Sequence, residues 1–123
     1  MDCSTNTLDE ALAAVKLGIQ QHKLAAAFAA LDTLRVRFPA SFEVALRWCR
    51  LACALNRLAG LPAYALPIYR QRTCHFERAQ LANLVAYALF LQQQFDLAWS
   101  WRQRSLGHLV MLAQQGQRPA AQA

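Results

Sequence analysis

The stretch Gln80–Leu106, QLANLVAYALFLQQQFDLAWSWRQRSL, decides the fold. Leu84, Tyr87, Ala88 and Leu91 recur at helical spacing in its first arm, and Phe95, Ala98, Trp99 and Arg102 do the same in its second. The polar run Gln92–Gln94 between the arms is short enough to fold one helix back on the other as an antiparallel hairpin. Ala86 and Ala98 are small where the two helices must come close. Leu89, Phe95 and Trp101 are bulky enough to fill the space around that contact, as a close-packed interior requires.

Composition extends the helical reading to the whole chain. Its 123 residues suffice for one domain that buries about two-thirds of its unfolded surface. The chain is 56% apolar, with Ala and Leu abundant and Thr and Ile scarce, which favours helix over strand and predicts an all-α fold. No apolar run reaches the roughly 18 to 20 residues of a membrane span. The first ten residues, MDCSTNTLDE, are polar and acidic where a secretion signal is basic and then apolar, so a cytoplasmic location is expected. In that compartment Cys3, Cys49, Cys53 and Cys74 are expected as reduced thiols. Cys49 and Cys53, four apart on one helix face, lack the loop spacing of a zinc site and read as small apolar residues; no metal and no cofactor is expected.

The net charge of +6 is largely arginine. Arg35, Arg37, Arg47, Arg50, Arg57, Arg70, Arg72 and Arg78 face only Glu43 and Glu77 in the same interval, which suits an acidic partner. Nucleic acid is one such partner, since clustered arginine neutralises phosphates, but no nucleic-acid motif accompanies the cluster, and a solvated helix face accounts for most charge runs.

Along the chain, residues 1–6 read as a flexible N-terminus, 7–115 as a single helical domain and 116–123 as a disordered tail. Thr7 with Glu10 forms a capping box for a first helix over Leu8–Gln20. A turn over Gln20–His22 leads to a second helix, in which Leu24, Ala27, Phe28, Leu31 and Leu34 share a face and Pro39 is the stop. Ser41 is the N-cap of a third, which ends over Asn56–Gly60. Pro62 suits a helix start, whereas Pro67 removes an internal hydrogen bond, so a kinked or late-starting fourth helix is expected, ending near Thr73. The fifth spans Glu77–Gln92, and the sixth runs from Phe95 to about Gln114, stopping near Gly116. Six antiparallel helices thus form three hairpins at intervals of about 35 residues, the period of tetratricopeptide repeats. The second repeat fits that pattern only with a shift in its second helix, and a generic helical bundle is the competing architecture.

Stacked hairpins of this kind line a concave side with the first helix of each pair. In register, the inward positions are Asp9, Leu12, Lys16 and Ile19, then Glu43, Leu46, Arg50 and Cys53, then Gln80, Asn83, Tyr87 and Phe90. Leu46, Tyr87 and Phe90 are candidates to grip apolar anchors of a bound helix, and Arg50 and Asn83 to bond its backbone or a carboxylate. Ordinary core is the competing role for the apolar ones. Phe95, Trp99 and Trp101 form a candidate second surface. Trp99 and Trp101 stand two apart and cannot share a helix face, so one of them is exposed or covered by a partner. Catalysis has no support: His22, His75 and His108 lack motif context and read as surface or turn residues, the seven carboxylates are scattered, and no Gly-rich phosphate loop occurs.

The segments LDTLRVRFP (Leu31–Pro39) and RWCRLACALN (Arg47–Asn56), with the hairpin Leu81–Ser105, carry a family resemblance. Over roughly His22–Leu106 the chain resembles the small tetratricopeptide chaperones of bacterial type III secretion systems, most closely the YscY type. The resemblance implies a non-enzymatic cytoplasmic chaperone that binds a secreted, YscX-like component of its own apparatus. It also implies that the pair engages the export gate, peripherally at the inner membrane, and the chaperone reading predicts a poorly soluble or self-associating protein when the chain is expressed without its partner. Chaperones of a needle or translocator subunit belong to the same class, and a basic adaptor for nucleic acid is the alternative from another. The charge of +6 departs from the acidic balance common in the family, as does Pro67 in the second repeat.

Overall fold

The computed structural model describes the backbone of residues 3–122 and the side chains of residues 7–115. It contains six α-helices and, among the described residues, no strand: α1 Cys3–Gln20, α2 Leu24–Arg37, α3 Phe42–Ala54, α4 Leu61–Gln71, α5 His75–Leu91 and α6 Phe95–Gln122. The all-α architecture follows the composition.

One local device recurs three times. His22, Asn56 and Gln93 each adopt a left-handed backbone, with φ of 62°, 56° and 64°. Each sits two residues past the end of an odd-numbered helix, and the following amide reaches back to close the last turn. Lys23 N donates to the Gly18 carbonyl at 2.8 Å, Arg57 N to that of Ala52 at 2.8 Å, and Gln94 N to that of Leu89 at 2.9 Å. Bonds between residues three apart, from His22 N to the Ile19 carbonyl, Asn56 N to that of Cys53 and Gln93 N to that of Phe90, complete a Schellman cap at each site. His22 and Asn56 are 34 residues apart and Asn56 and Gln93 are 37 apart. The two intervals are composed differently: six residues, 55–60, join α3 to α4 where three join α1 to α2, but α4 is shorter than α2 by the same amount (11 residues against 14), so the excess lies in α5, which has 17 residues against 13 in α3, less one residue in the loop before it. Caps that recur at such intervals are compatible with a helical repeat.

The chain divides into two compact units, Met1–Arg57 and Leu58–Ala123, where the sequence suggests one domain over 7–115. In the first unit, α2 packs against both α1 and α3. Leu31, Val44, Ala45, Cys49 and Ala52 are fully enclosed, and the rings of Phe28 and Trp48 meet with centroids 5.3 Å apart. Ser41 caps α3 as expected, its Oγ accepting from Val44 N at 3.3 Å. Trp48 Nε1 donates to Asp32 Oδ1 at 3.2 Å, and Arg35 Nε donates to the same oxygen at 2.7 Å while its guanidinium lies 4.8 Å over the indole. The bond from Arg35 holds the Asp32 carboxyl below its ordinary value.

In the second unit, α5 lies between α4 and α6. Its buried residues Ala79, Leu81, Ala82, Val85, Ala86, Ala88 and Leu89 therefore spread around the helix instead of forming a single stripe. Ser105, the one buried polar residue among the described residues, donates from Oγ to the Ala79 carbonyl at 2.8 Å and ties α6 to α5.

Several boundaries depart from expectation. Helix α1 begins at Cys3, so Thr7 and Glu10 lie within it and their capping-box spacing does not mark its start. Helix α4 is continuous from Leu61 through Pro67 to Gln71. Pro67 is exposed, and so is Ala63, whose carbonyl the missing N–H would have bonded; the defect faces water, while Leu61, Ala65 and Ile68 hold the other side in the core. Helix α5 starts at His75, and α6 continues past Gly116 to Gln122, since one glycine weakens a helix by about 1 kcal/mol without barring it.

The histidines also differ. His22 occupies the first turn and is exposed, but His75 and His108 belong to a partly buried cluster joining three helices. Tyr69 Oη of α4 lies 2.6 Å from His108 Nε2 of α6, and His108 Nδ1 lies 3.0 Å from His75 Nδ1 at the start of α5. Arg78 donates from Nε to the Tyr69 carbonyl at 3.2 Å and stacks 4.8 Å over its ring, and Trp101 meets the same ring edge-on at 5.2 Å. Two Nδ1 atoms at bonding distance hold one hydrogen between them, one ring donating and the other accepting.

Replacing Gln93 by Gly removes the penalty of a side chain in the left-handed region and should stabilise the protein by about 0.5–1 kcal/mol, whereas Gln93→Val should destabilise it by at least about 1 kcal/mol; denaturant midpoints measure both. Burial first, then the positive charges of Arg78 and His75, lowers the pKa of His108 from its ordinary 6.5. The unfolded chain therefore binds the extra proton, so this contribution to stability is intact above pH 6.5 and is lost as pH falls below it. The depressed Asp32 acts in a separate window, from its ordinary 3.8 downward. Between about pH 7.5 and 5.5 the unfolding midpoint should fall more for the native chain than for His108→Gln. Parallel pH profiles would contradict the assignment.

Candidate functional site

The open side of the α5–α6 hairpin carries a groove of about 680 Å³. Its composition follows from counting outward from the turn at Gln93. The last turn of α5 meets the first of α6, bringing the rings of Phe90 and Phe95 into an edge-to-face pair with centroids 5.4 Å apart. Tyr87 and Trp99 form the next rung, and beyond it Arg102 Nη1 donates to Asn83 Oδ1 at 2.6 Å. Buried Ala86 and Ala98 lie between these walls, and their small side chains leave the depth. Asp96 adds a carboxylate at the rim.

The exposure of the walls is unusual for residues of this size: Tyr87 is 49% exposed, Phe90 55%, Phe95 56% and Trp99 64%. Four large rings around one depression form an apolar patch with a polar edge, the pattern of a recognition site and not of a solvated surface. The flat faces suit the apolar side of a helix, and the Asn83–Arg102 pair offers donors for a carboxylate.

The sequence separates Tyr87 and Phe90, as lining for a groove, from Phe95 and Trp99, as a second surface. In the structure the four share one groove. Trp101 alone turns the other way, half-buried against Tyr69, with Arg104 stacked 4.6 Å over its indole. The expectation that one of the two tryptophans is exposed is met by Trp99.

The remaining sequence candidates scatter by burial. Lys16 and Arg50 are exposed, Ile19 and Cys53 half-buried, and Leu12 and Leu46 buried in the core of the first unit, where they offer no side-chain surface. The triplet positions match the recurring caps: Lys16, Arg50 and Tyr87 each stand six residues before a left-handed turn residue, and Ile19, Cys53 and Phe90 three before. Sequence reasoning missed the pairing of Asn83 with Arg102, although the two stand at nearly the same distance on either side of the turn.

The basic cluster is largely occupied within the chain. Arg35 and Arg72 are paired with Asp32 and Glu77, and Arg47 lies 3.6 Å from Glu43. Arg37 and Arg57 stack on Phe38 and Phe28, and Arg78 on Tyr69. Cys49 and Cys53 are free thiols; burial pushes the first up to about 12 and raises the second, which keeps both protonated and unreactive. Among the described residues no three His, Cys, Asp or Glu side chains gather to hold a metal ion, and no helix is long and apolar enough to cross a membrane.

No family model, curated protein or solved structure matches the chain.

Proposed function

We propose that the protein is a non-enzymatic chaperone of tetratricopeptide type that holds an amphipathic helix of a partner across the α5–α6 groove and covers apolar surface on both molecules. The four exposed rings of that groove carry the reading. The threefold recurrence of the left-handed cap, at intervals of 34 and 37 residues, supports the repeat class. The resemblance to YscY-type secretion chaperones supplies the rest: a secreted, YscX-like partner, a cytoplasmic site of binding, and delivery of the pair to an export gate at the inner membrane.

Magnitudes support binding with modest affinity from the groove alone. Four rings about half exposed offer roughly 400 Å² of apolar surface, on the order of 10 kcal/mol before the costs of association, which are of similar size. A tight complex therefore recruits surface beyond the groove.

Co-expression with a YscX-like protein should give a soluble complex, while the chain expressed alone should be poorly soluble. Tyr87→Ala and Trp99→Ala should each weaken capture roughly tenfold or more, as expected for aromatic anchors. Undiminished pull-down by both variants would sink the groove assignment. Retention on a polynucleotide column that fades with salt and disappears on changing Arg47, Arg50 and Arg57 would instead favour the nucleic-acid adaptor. The number of guanidiniums already engaged inside the chain argues against that outcome.

A further inference from the structure

Helix α6 is longer than its hairpin needs. It has 28 residues against 17 in α5, and because His75, the first residue of α5, already meets His108, everything after His108 runs on beyond the end of α5. That overhang is not polar. Leu109, Val110 and Met111 are 41%, 55% and 45% exposed, and Leu106, just before it, is 40% exposed.

The exposed residues have an order. Phe95, Trp99, Arg102, Leu106, Leu109 and Ala113 follow one another at steps of four, three, four, three and four. This is the alternation of the two core positions of a coiled coil, and all six positions are exposed. The residues immediately preceding three of them, Ala98, Ser105 and Leu112, are buried or half-buried, so the seam runs along the edge of the packed face of α6 and not on the side opposite it. From 95 to 113 it covers about 27 Å, or five helical turns. The aromatic groove is its first third.

We infer that this seam is a docking track for one amphipathic helix of about three heptads, apolar at its own seam positions and acidic at the one that meets Arg102. The inference rests on the α5–α6 face being a partner's surface, and it adds the partner's length and charge. Two features select an acidic partner. Arg102 stands at the centre of the apolar track, its guanidinium held at one nitrogen by Asn83, and its planar fork matches a carboxylate. Asp96 is the only carboxylate on α6, on a chain whose net charge is +6. The same features oppose a second copy of the chain in this place. A parallel pair would set Arg102 against Arg102, and an antiparallel pair centred on the seam would set it against Leu106, in both cases with no carboxylate supplied to a buried charge.

The test uses the full chain and two labelled synthetic peptides of about three heptads, identical except for Glu or Lys at the central seam position, titrated by fluorescence anisotropy below their own association range. The Glu peptide should bind, and the Lys peptide about tenfold or more weakly. Arg102→Glu should reverse that order. Leu109→Asp, on the overhang and outside the groove, should weaken the Glu peptide about tenfold or more while leaving the unfolding midpoint unchanged, because the site is exposed. If Trp99→Ala abolishes binding but Leu109→Asp and Arg102→Glu do not alter it, the groove stands and the seam falls. If none of the three variants matters, both fall. If light scattering shows the free chain dimeric and Leu109→Asp monomeric, the occupant is a second copy and the inference is overturned.

Discussion

The structure depends first on a backbone constraint: a residue in the left-handed region two places after the end of α1, α3 and α5. An L-residue there pays about 1–2 kcal/mol relative to a right-handed conformation, and none of the three is glycine. What offsets it is the pair of capping bonds that closes each helix, together with the reversal they impose, which sends the chain back along the helix it has just left. Asparagine at position 56 and histidine at position 22 are among the residues that tolerate this conformation best, whereas Gln93 has no such preference. Its angle is therefore imposed by the helices on either side. The periodicity of the chain is set at these turns more than by any residue repeated along the helices.

The same constraint creates the groove. Once Gln93 reverses the chain, residues equally far from the turn become neighbours, and the two faces of the α5–α6 hairpin meet different fates. One face packs on α4, where Tyr69 receives Trp101, Arg78 and His108. None of the described helices covers the other, so Tyr87, Phe90, Phe95 and Trp99 stay exposed although any of them would ordinarily be core. Trp99 and Trp101, two residues apart, are thus separated into an exposed groove wall and a structural contact by nothing more than the 100° step of a helix.

Much of this is legible in the sequence because it is local. The hairpin break at Gln92–Gln94, the Ser41 cap and the stop before Pro39 all follow from residue types within one or two turns. The capping box at Thr7 fails because it states what a helix start allows, not where the start falls. Pro67 misleads for a similar reason: its cost depends on which face it occupies, and the exposed face leaves the freed carbonyl to water. The histidine cluster and the Asn83–Arg102 bond join residues 33 and 19 apart in the chain, and no spacing rule reports such pairs. The groove lies between these extremes. Its residues are all identifiable as exposed or buried candidates, but that Tyr87 and Trp99 share one depression requires the two helices to be placed side by side.

Charge then decides what kind of partner such a surface tolerates. A chain with an exposed apolar track and little net charge would associate with itself, because burying two copies of the track is the nearest available gain. Here the excess of arginine works against that. Most of those guanidiniums are already stacked on aromatic rings or paired with the few carboxylates present, so they do not form a free phosphate-binding field; they still leave each copy positively charged toward another. Arg102 concentrates the effect at the one point where it interrupts the apolar seam. A cation in the middle of an apolar track weakens every pairing except one that brings an anion to it, and that is how a hydrophobic surface gains specificity without losing its area.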